Sequence, residues 1–212
     1  MELLLEHGIA LLISTKSQIP KRFISLFAEF SDLVHVQVGL TTVDDEIRKL
    51  IEPGAFPVEK RLDSIPFLIA NNISVELRID PLIPGLTDME ESFNMLCESA
   101  AIKGITSAAV SYLFIRQAML KSMNVTYKDW AFSDVLRSLF TEKIERYCGK
   151  SSILVADTEY RRRSYDILHE IAGHYGLKLR MCQCKNPDLT TECCHPDMSR
   201  VNHNVGQINL FS

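Results

Sequence analysis

The residues with the most reactive chemistry are the cysteines. Six are present, at positions 97, 148, 182, 184, 193 and 194, so four fall within the last thirty-one residues. The tail reads Cys182-Gln183-Cys184-Lys185-Asn186 and then Glu192-Cys193-Cys194-His195-Pro196. Residues two apart on an extended segment point the same way, so Cys182 and Cys184 can present both sulfurs to one ion, with Cys193, Cys194 or His195 completing a tetrahedral site. The expectation is zinc or an auxiliary iron-sulfur cluster held by Cys182, Cys184, Cys193 and Cys194. The spacing is not the two-residue knuckle of zinc ribbons, and small buried thiols or a disulfide made on oxidation are the competing reading. His203 is read as an exposed tail residue.

A second set of polar residues follows apolar runs. Thr15-Lys16-Ser17 comes after Ile9 to Ser14, Thr41-Thr42 after Val34 to Leu40, and Arg78 stands just before Asp80 at the end of Ile73 to Ile79. In parallel α/β architectures chemistry gathers at the carboxyl ends of the strands. Lys and Arg on neighbouring strand ends can hold a carboxylate or phosphate, with hydroxyls adding hydrogen bonds. In the competing reading Lys16 is solvated, the threonines only start a helix, and Arg78 pairs with Asp80 or Glu76. The run Arg161-Arg162-Arg163 opens a helix, an unfavourable place for positive charge unless something anionic lies opposite. A solvated face paired with Asp157, Glu159 or Asp166 is preferred there to a nucleic-acid contact.

The elements that must position these residues alternate strand with helix. The run Ile9 to Ser14 is continuously apolar, as expected of a strand buried on both faces. Pro20 is placed at N1 of a helix carrying Phe23, Leu26, Phe27 and Phe30. The next helix starts at Thr42 with Asp45 three positions on and breaks at Glu52-Pro53-Gly54. Another resumes near Pro57 with Leu62, Ile65, Leu68 and Ile69 inward and a kink at Pro66. Asp88 with Glu91 reads as a capping box, Met89, Phe93, Leu96, Cys97 and Ala100 as a buried stripe, and Gly104 as the C-cap. Ile105 to Phe114 is a strand, and residues from Ile115 to Tyr147 read as helical with a break near Asn124. Strand Ile153 to Ala156, helix Tyr160 to Tyr175 with Ile167, Leu168 and Ile171 inward, and strand Leu177 to Met181 complete the pattern.

Composition narrows the class. With 212 residues, 46% of them hydrophobic, the chain suffices for a real core, which excludes disordered and collagen-like architectures. A formal charge of −4 argues against a surface that traps polyanions everywhere, while a local basic groove stays open. No apolar run approaches the eighteen or so residues of a membrane span, and the opening Met1 to Ser14 carries acids where a signal peptide has Lys or Arg. The expectation is a cytoplasmic protein without a membrane partner, in which clustered cysteines mean metal or redox chemistry before disulfides.

The ordered motifs resemble a known family. Thr15-Lys16-Ser17, Val38-Gly39-Leu40-Thr41-Thr42, Ile51-Glu52-Pro53, Arg61-Leu62 and Arg78-Ile79-Asp80-Pro81-Leu82-Ile83-Pro84-Gly85-Leu86-Thr87-Asp88 resemble radical S-adenosylmethionine proteins of the spore photoproduct lyase type, often labelled DNA repair photolyases. The tail Cys182 to Asn186 is similar to the cysteine-containing end of some of them. The resemblance covers most of the chain and is most specific from Pro53 to Asp88. It implies an α/β fold, a partial (β/α) barrel of the radical SAM type, entered at about its third strand. A helical, Cys-rich C-terminal extension follows. Residues 1–124 would be the later part of the barrel, 125–181 a helical and βαβ part, and 182–212 the tail.

The resemblance further implies S-adenosylmethionine across the strand ends, with Lys16, Thr41 and Arg78 as its neighbours, and DNA or another nucleic acid as partner. The reaction implied is reductive cleavage of that cofactor by a 4Fe-4S cluster, giving a radical that removes hydrogen from substrate. In the family three cysteines spaced three and then two residues apart hold the cluster, and this sequence contains no such triplet. Gly39 stands where related sequences more often have serine. The alternative reading is a non-catalytic metal-binding interaction module. A third is an independent α/β fold binding a phosphate-containing ligand. Catalytic residues stay unassigned. An open first barrel edge is expected to promote self-association.

Overall fold

A computed structural model describes residues 1–116, 119, 138–145 and 152–192. Five parallel strands form the main sheet in the order β1-β2-β3-β4-β8: β1 (Leu11–Thr15), β2 (Val34–Gly39), β3 (Ser74–Leu82), β4 (Ser107–Tyr112) and β8 (Lys178–Met181). Helices α1 (Glu2–Glu6), α2 (Lys21–Glu29), α3 (Asp45–Ile51), α4 (Val58–Leu62), α5 (Ile65–Ala70), α6 (Glu90–Ile102) and α7 (Thr158–His174) surround or connect them. Among the described residues β1 and β8 are the two edges of this sheet, which gives an open α/β arrangement. No helix among those residues is long and apolar enough to cross a membrane.

The two faces of the sheet differ in chemistry. Val36, Val38, Leu77, Ile79, Ala108, Val110 and Leu179 are buried against Phe27, Leu62, Ile65, Leu68, Phe93, Leu96 and Leu168 from the helices. Since side chains alternate along a strand, the residues between them face the other way. The register places Leu12, His35 and Ser74 in one row, Ser14, Gln37 and Glu76 in the next, and Gly39, Arg78, Ala109 and Arg180 above them. The polar face explains why β1 departs from the expectation of burial on both faces: Leu11 and Ile13 pack on the core, whereas Leu12 is 40% exposed.

Local differences have physical causes. Asp44, not Thr42, caps α3 by accepting from the backbone N–H of Glu46 and Ile47, and the Thr42 hydroxyl instead accepts from Asp44 N–H. Pro20 is the extended N-cap residue of α2, one position earlier than expected. Pro66 lies in the first turn of a separate helix, α5, where its missing N–H costs nothing, so there is no kink. Asp88 does not cap α6: Met89 occupies the N-cap, and the Asp88 carboxylate accepts from Gly85 N–H and from the hydroxyls of Tyr112 and Tyr160. The α6 stripe of Phe93, Leu96, Cys97 and Ala100 is buried as expected, while Met89, Ile69 and Ile167 are exposed. Gly104 takes the positive φ of +86° expected of a residue ending a helix.

A second, antiparallel sheet pairs β5 (Phe114–Ile115) and β6 (Glu142–Glu145) with β7 (Ser152–Val155). This corrects the helical reading of Ile115 to Tyr147 at Ile115 and at Glu142–Glu145, while residues 117–118, 120–137 and 146–147 lie outside the described residues. It also moves the Ile153 strand out of the parallel sheet. A small apolar cluster packs Ile115 of this sheet with Ile83, Phe140 and Ala156.

Candidate functional site

The carboxyl ends of β1, β2 and β3 bring together residues that the linear order keeps apart. Lys16, immediately after β1, donates to Glu52 Oε1 at 2.5 Å and to the Asp80 carbonyl oxygen at 3.4 Å. The other oxygen of Glu52 accepts from Arg61 at 3.2 Å, and Arg61 also donates to the Gly39 carbonyl at 2.6 Å. Glu52 reaches this point because α3 ends at Ile51 and turns the chain back at Pro53. Arg61, on α4, is fully buried, with Nε and one terminal nitrogen lacking a hydrogen-bond partner among the described residues, and burial pulls its pKa down. Glu52 is therefore shared by two cations.

Asp80 makes a second such group. Its Oδ2 accepts from Arg78 at 2.7 Å and from Lys185, which arrives on the loop after β8. Burial would raise the Asp80 pKa, but the charges and hydrogen bonds of Lys185 and Arg78 outweigh it and hold the carboxyl below its usual range. Within each trio two cations meet one carboxylate, and Lys16, 41% exposed, bridges the two trios. Such a set suits a zwitterionic or anionic ligand: the cations fit a carboxylate or phosphate, the carboxylates an amine or sulfonium.

Below this mouth the polar face is internally paired. Glu76, fully buried, accepts from Gln37 at 2.8 Å and from Arg180, with His35 Nε2 3.6 Å away. Burial acts to raise its pKa, and hydrogen bonds from His35, Arg180 and Gln37 reverse the sign, leaving it lowered. The Ser111 hydroxyl, on the same face because it lies two positions beyond Ala109 on β4, is buried without a hydrogen-bond partner among the described residues.

Of the residues singled out in the sequence, Lys16 and Arg78 come together at the mouth. Thr41 is buried beneath them, its hydroxyl 3.5 Å from Glu52 Oε1. Arg78 does pair with Asp80, as the competing reading had it, and the pair stands within the site. Gly39 leaves room for the Lys16 stem: a Cβ there would lie 2.8 Å from Lys16 Cγ. Cys182 and Cys184 do not lie on an extended segment, because the N–H groups of Lys185 and Asn186 both turn back to the Cys182 carbonyl. Cys182 is buried and Cys184 half-buried, while Cys193, Cys194, His195 and His203 lie outside the described residues. Arg161 is not part of a solvated face. It is fully buried and donates to the Ala156 carbonyl, Asn186, Thr158 and Asp188, whereas Arg162 and Arg163 are exposed and pair with Glu159.

Glu52, Arg61, Arg180 and Lys185 are not site candidates from sequence, and Glu76 and Asp80 enter only as partners of Arg78. One signal for the last two exists: Ser74, Glu76, Arg78 and Asp80 alternate with Val75, Leu77 and Ile79, the period of a strand with one polar face.

No family model matches the chain. It is 24% identical over 160 residues to an uncharacterized protein of Acidianus two-tailed virus, covering 69% of this chain and 52% of that one. An uncharacterized protein of Methanocaldococcus jannaschii is 39% identical over 80 residues, covering 37% and 30%. One of Mycobacterium tuberculosis is 30% identical over 111 residues, covering 51% and 33%. The chain thus spans about half the length or less of the curated relatives it matches.

Among solved structures, spore photoproduct lyase complexed with dinucleoside spore photoproduct superposes with a TM-score of 0.67 at 12% identity over 85% of this chain and 55% of that one. A mutant of the same enzyme with bound AdoMet and dinucleoside spore photoproduct has a TM-score of 0.67 at 11% identity, covering 84% and 54%. Streptococcus suis SuiB bound to S-adenosylmethionine has 0.52 at 12% identity, covering 85% and 36%. Over most of its length the chain therefore shares the α/β fold of part of these proteins.

Proposed function

We propose that this chain binds S-adenosylmethionine across the carboxyl ends of β1 to β3 and belongs to a radical SAM protein acting on nucleic acid. The observation that supports the reading is the convergence of Lys16, Arg78 and Lys185 with Glu52 and Asp80 at one mouth, in a fold shared with proteins solved with that cofactor. Lys16 and Arg78 suit the carboxylate of the cofactor, and the paired carboxylates suit its ammonium and sulfonium charges. Thr41, buried with its hydroxyl 3.5 Å from Glu52 Oε1, is proposed as the third neighbour of the cofactor beside Lys16 and Arg78.

The 4Fe-4S cluster of the family's reaction finds no fitting ligand triplet in this sequence. The sequence has no cysteines spaced three and then two residues apart, and among the described residues no three His, Cys, Asp or Glu side chains are grouped to hold a metal ion. Binding without cleavage is the activity proposed for these 212 residues, and the lyase chemistry needs cluster ligands that they do not contain. The test is calorimetric titration with S-adenosylmethionine. Each charged contact is worth about 1.5 to 3 kcal/mol, so Lys16→Ala and Arg78→Gln should each weaken binding roughly tenfold or more. Absence of binding to the unaltered protein refutes the reading. Deoxyadenosine formed by it with a reductant refutes the claim of binding without cleavage.

A second reading, a metal site in the tail, is supported by the fold-back of residues 182–192. Gln183 N–H donates to the Glu192 carbonyl at 2.9 Å, so the residue that precedes Cys193 in sequence lies beside Cys182 and Cys184. Elemental analysis tests it: stoichiometric zinc or iron that is lost on changing both Cys182 and Cys184 to serine supports the site, and metal-free folded protein removes it.

A further inference from the structure

The ring of Phe114 stands where the chain leaves the main sheet. Leu113 N–H still donates to the Leu82 carbonyl at 2.8 Å, and Phe114 then starts the second sheet at the carboxyl end of β4. The ring is half-buried, and two of the cations that meet it are Lys185, whose Nζ lies 5.4 Å from its centroid, and Arg116, whose guanidinium carbon lies 5.5 Å away. Lys185 is the same residue that closes on Asp80 and so joins the ring to Arg78.

The backbone carrying Lys185 is fixed independently of its ammonium group. Asn186 Nδ2 donates to the Cys182 carbonyl at 3.0 Å, and buried Arg161 holds Asn186 at 3.3 Å and Asp188 at 2.5 Å. The loop is thus anchored from α7 while the ammonium, with three donors, can turn between partners.

We propose that Phe114, Arg116 and Lys185 form a shelf for one nucleotide of single-stranded DNA, with the base on the ring and flanking phosphates on the two cations. This rests on the nucleic-acid part of the reading above and names the residues that would make that contact. A cation–π contact is worth about 0.5 to 2 kcal/mol, whereas a base covers the whole face of a ring and stacks on it whatever its identity, for about 1 to 3 kcal/mol. A base arriving on Phe114 displaces the cationic heads only as far as the phosphates attached to it. The chain's charge of −4 fits a short contact of this kind and not a surface that tracks a long duplex.

Fluorescence anisotropy with a labelled single-stranded thymidine oligonucleotide of about eight nucleotides, over a salt series, tests this. Phe114→Ala is expected to weaken binding by about 5- to 100-fold and to leave the salt slope unchanged, while Phe114→Trp keeps the affinity. Lys185→Gln is expected to reduce the slope of log affinity against log salt by about 0.7, one phosphate contact on a single strand. No binding by the unaltered protein overturns the proposal, as does binding by the Phe114→Ala and Lys185→Gln proteins with the affinity and salt slope of the unaltered one. Titration of the same protein with S-adenosylmethionine separates the two ideas. Oligonucleotide binding with the expected variant pattern but no cofactor binding would support the shelf and count only against the cofactor site.

Discussion

Gly39→Ala tests whether the mouth is built as described. The new Cβ would sit 2.8 Å from Lys16 Cγ, 3.2 Å from its Cε and 3.3 Å from the Thr15 carbonyl oxygen. Thr15 is held in the sheet opposite Val38, so the Lys16 stem must give way, and with it the 2.5 Å contact to Glu52. Three contributions set the stability change. Overpacking costs about 1 to 3 kcal/mol, near the low end for a stem that can rotate. The pair itself involves a partly exposed lysine and is worth at most about 1 kcal/mol after solvent screening. Replacing glycine within a strand returns about 0.5 to 1 kcal/mol. The net is a loss of about 1 kcal/mol, a Tm lowered by about 2 to 4 °C for a chain of this size. The ligand effect is larger. Lys16 turned away from the mouth forfeits a charge-assisted hydrogen bond of about 1.5 to 3 kcal/mol, which is roughly 10- to 100-fold in affinity for S-adenosylmethionine. The assay is a double-mutant cycle by calorimetry with Gly39→Ala, Lys16→Ala and both together. Because the methyl acts only through Lys16, the double variant should bind no more weakly than Lys16→Ala alone. Additive losses, or wild-type affinity in Gly39→Ala when Lys16→Ala is impaired, refute the reasoning.

Two further expectations concern stability and association. Glu76 and Asp80 have pKa values lowered in the folded protein, so their contribution is complete above the ordinary carboxylate range and is lost as pH falls through their folded values. Urea melts should therefore show stability falling below about pH 4, with Glu76→Gln, which removes the buried carboxylate charge that Arg180 and Gln37 donate to, costing about 3 kcal/mol at neutral pH and flattening the acid limb; an unchanged acid limb in that variant counts against the assignment. The β1 edge, carrying the 40% exposed Leu12, is expected to drive self-association, so light scattering should report a dimer or larger species that Leu12→Lys disperses. A monodisperse monomer of the unaltered chain would remove that expectation.

The parts of the fold legible in the sequence are those governed by local pattern. The parallel strands of the main sheet, the α6 stripe and the glycine ending α6 all follow from apolar periodicity and backbone chemistry that act within a few residues. Misreadings came where one local signal admits two outcomes. An apolar run such as Ile9 to Ser14 fits a strand buried on both faces as well as one whose partner rows are polar, and only the pairing of Leu12 with His35 decides. Asp88 followed by Glu91 fits a capping box, yet two tyrosine hydroxyls from distant elements claim the Asp88 carboxylate first.

The site shows the same division more sharply. Lys16 and Arg78 were legible because a strand delivers its carboxyl end to the mouth whatever follows it. Their partners were not, since Glu52, Arg61 and Lys185 reach the mouth from a turn after α3, from a helix and from a loop after the last strand. Lys185 and Asp80 are 105 positions apart in the chain. The tail segment Cys182 to Asn186 attracts a metal reading because its two thiols are the chemically loudest residues in it. In the fold the segment does something its quieter residues determine: Asn186 binds Arg161 and Tyr165, the turn closes on the Cys182 carbonyl, and Lys185 is set over Asp80 and Phe114. A metal at the cysteines and a cation at the mouth are then compatible uses of one loop. Metal binding at Cys182 and Cys184 would stiffen the backbone that carries Lys185, whereas Lys185 reaches Asp80 through the turn and Arg161 even with the thiols unligated. Changing the cysteines to serine should accordingly remove any metal while leaving the Lys185 contacts, and the affinities that depend on them, in place.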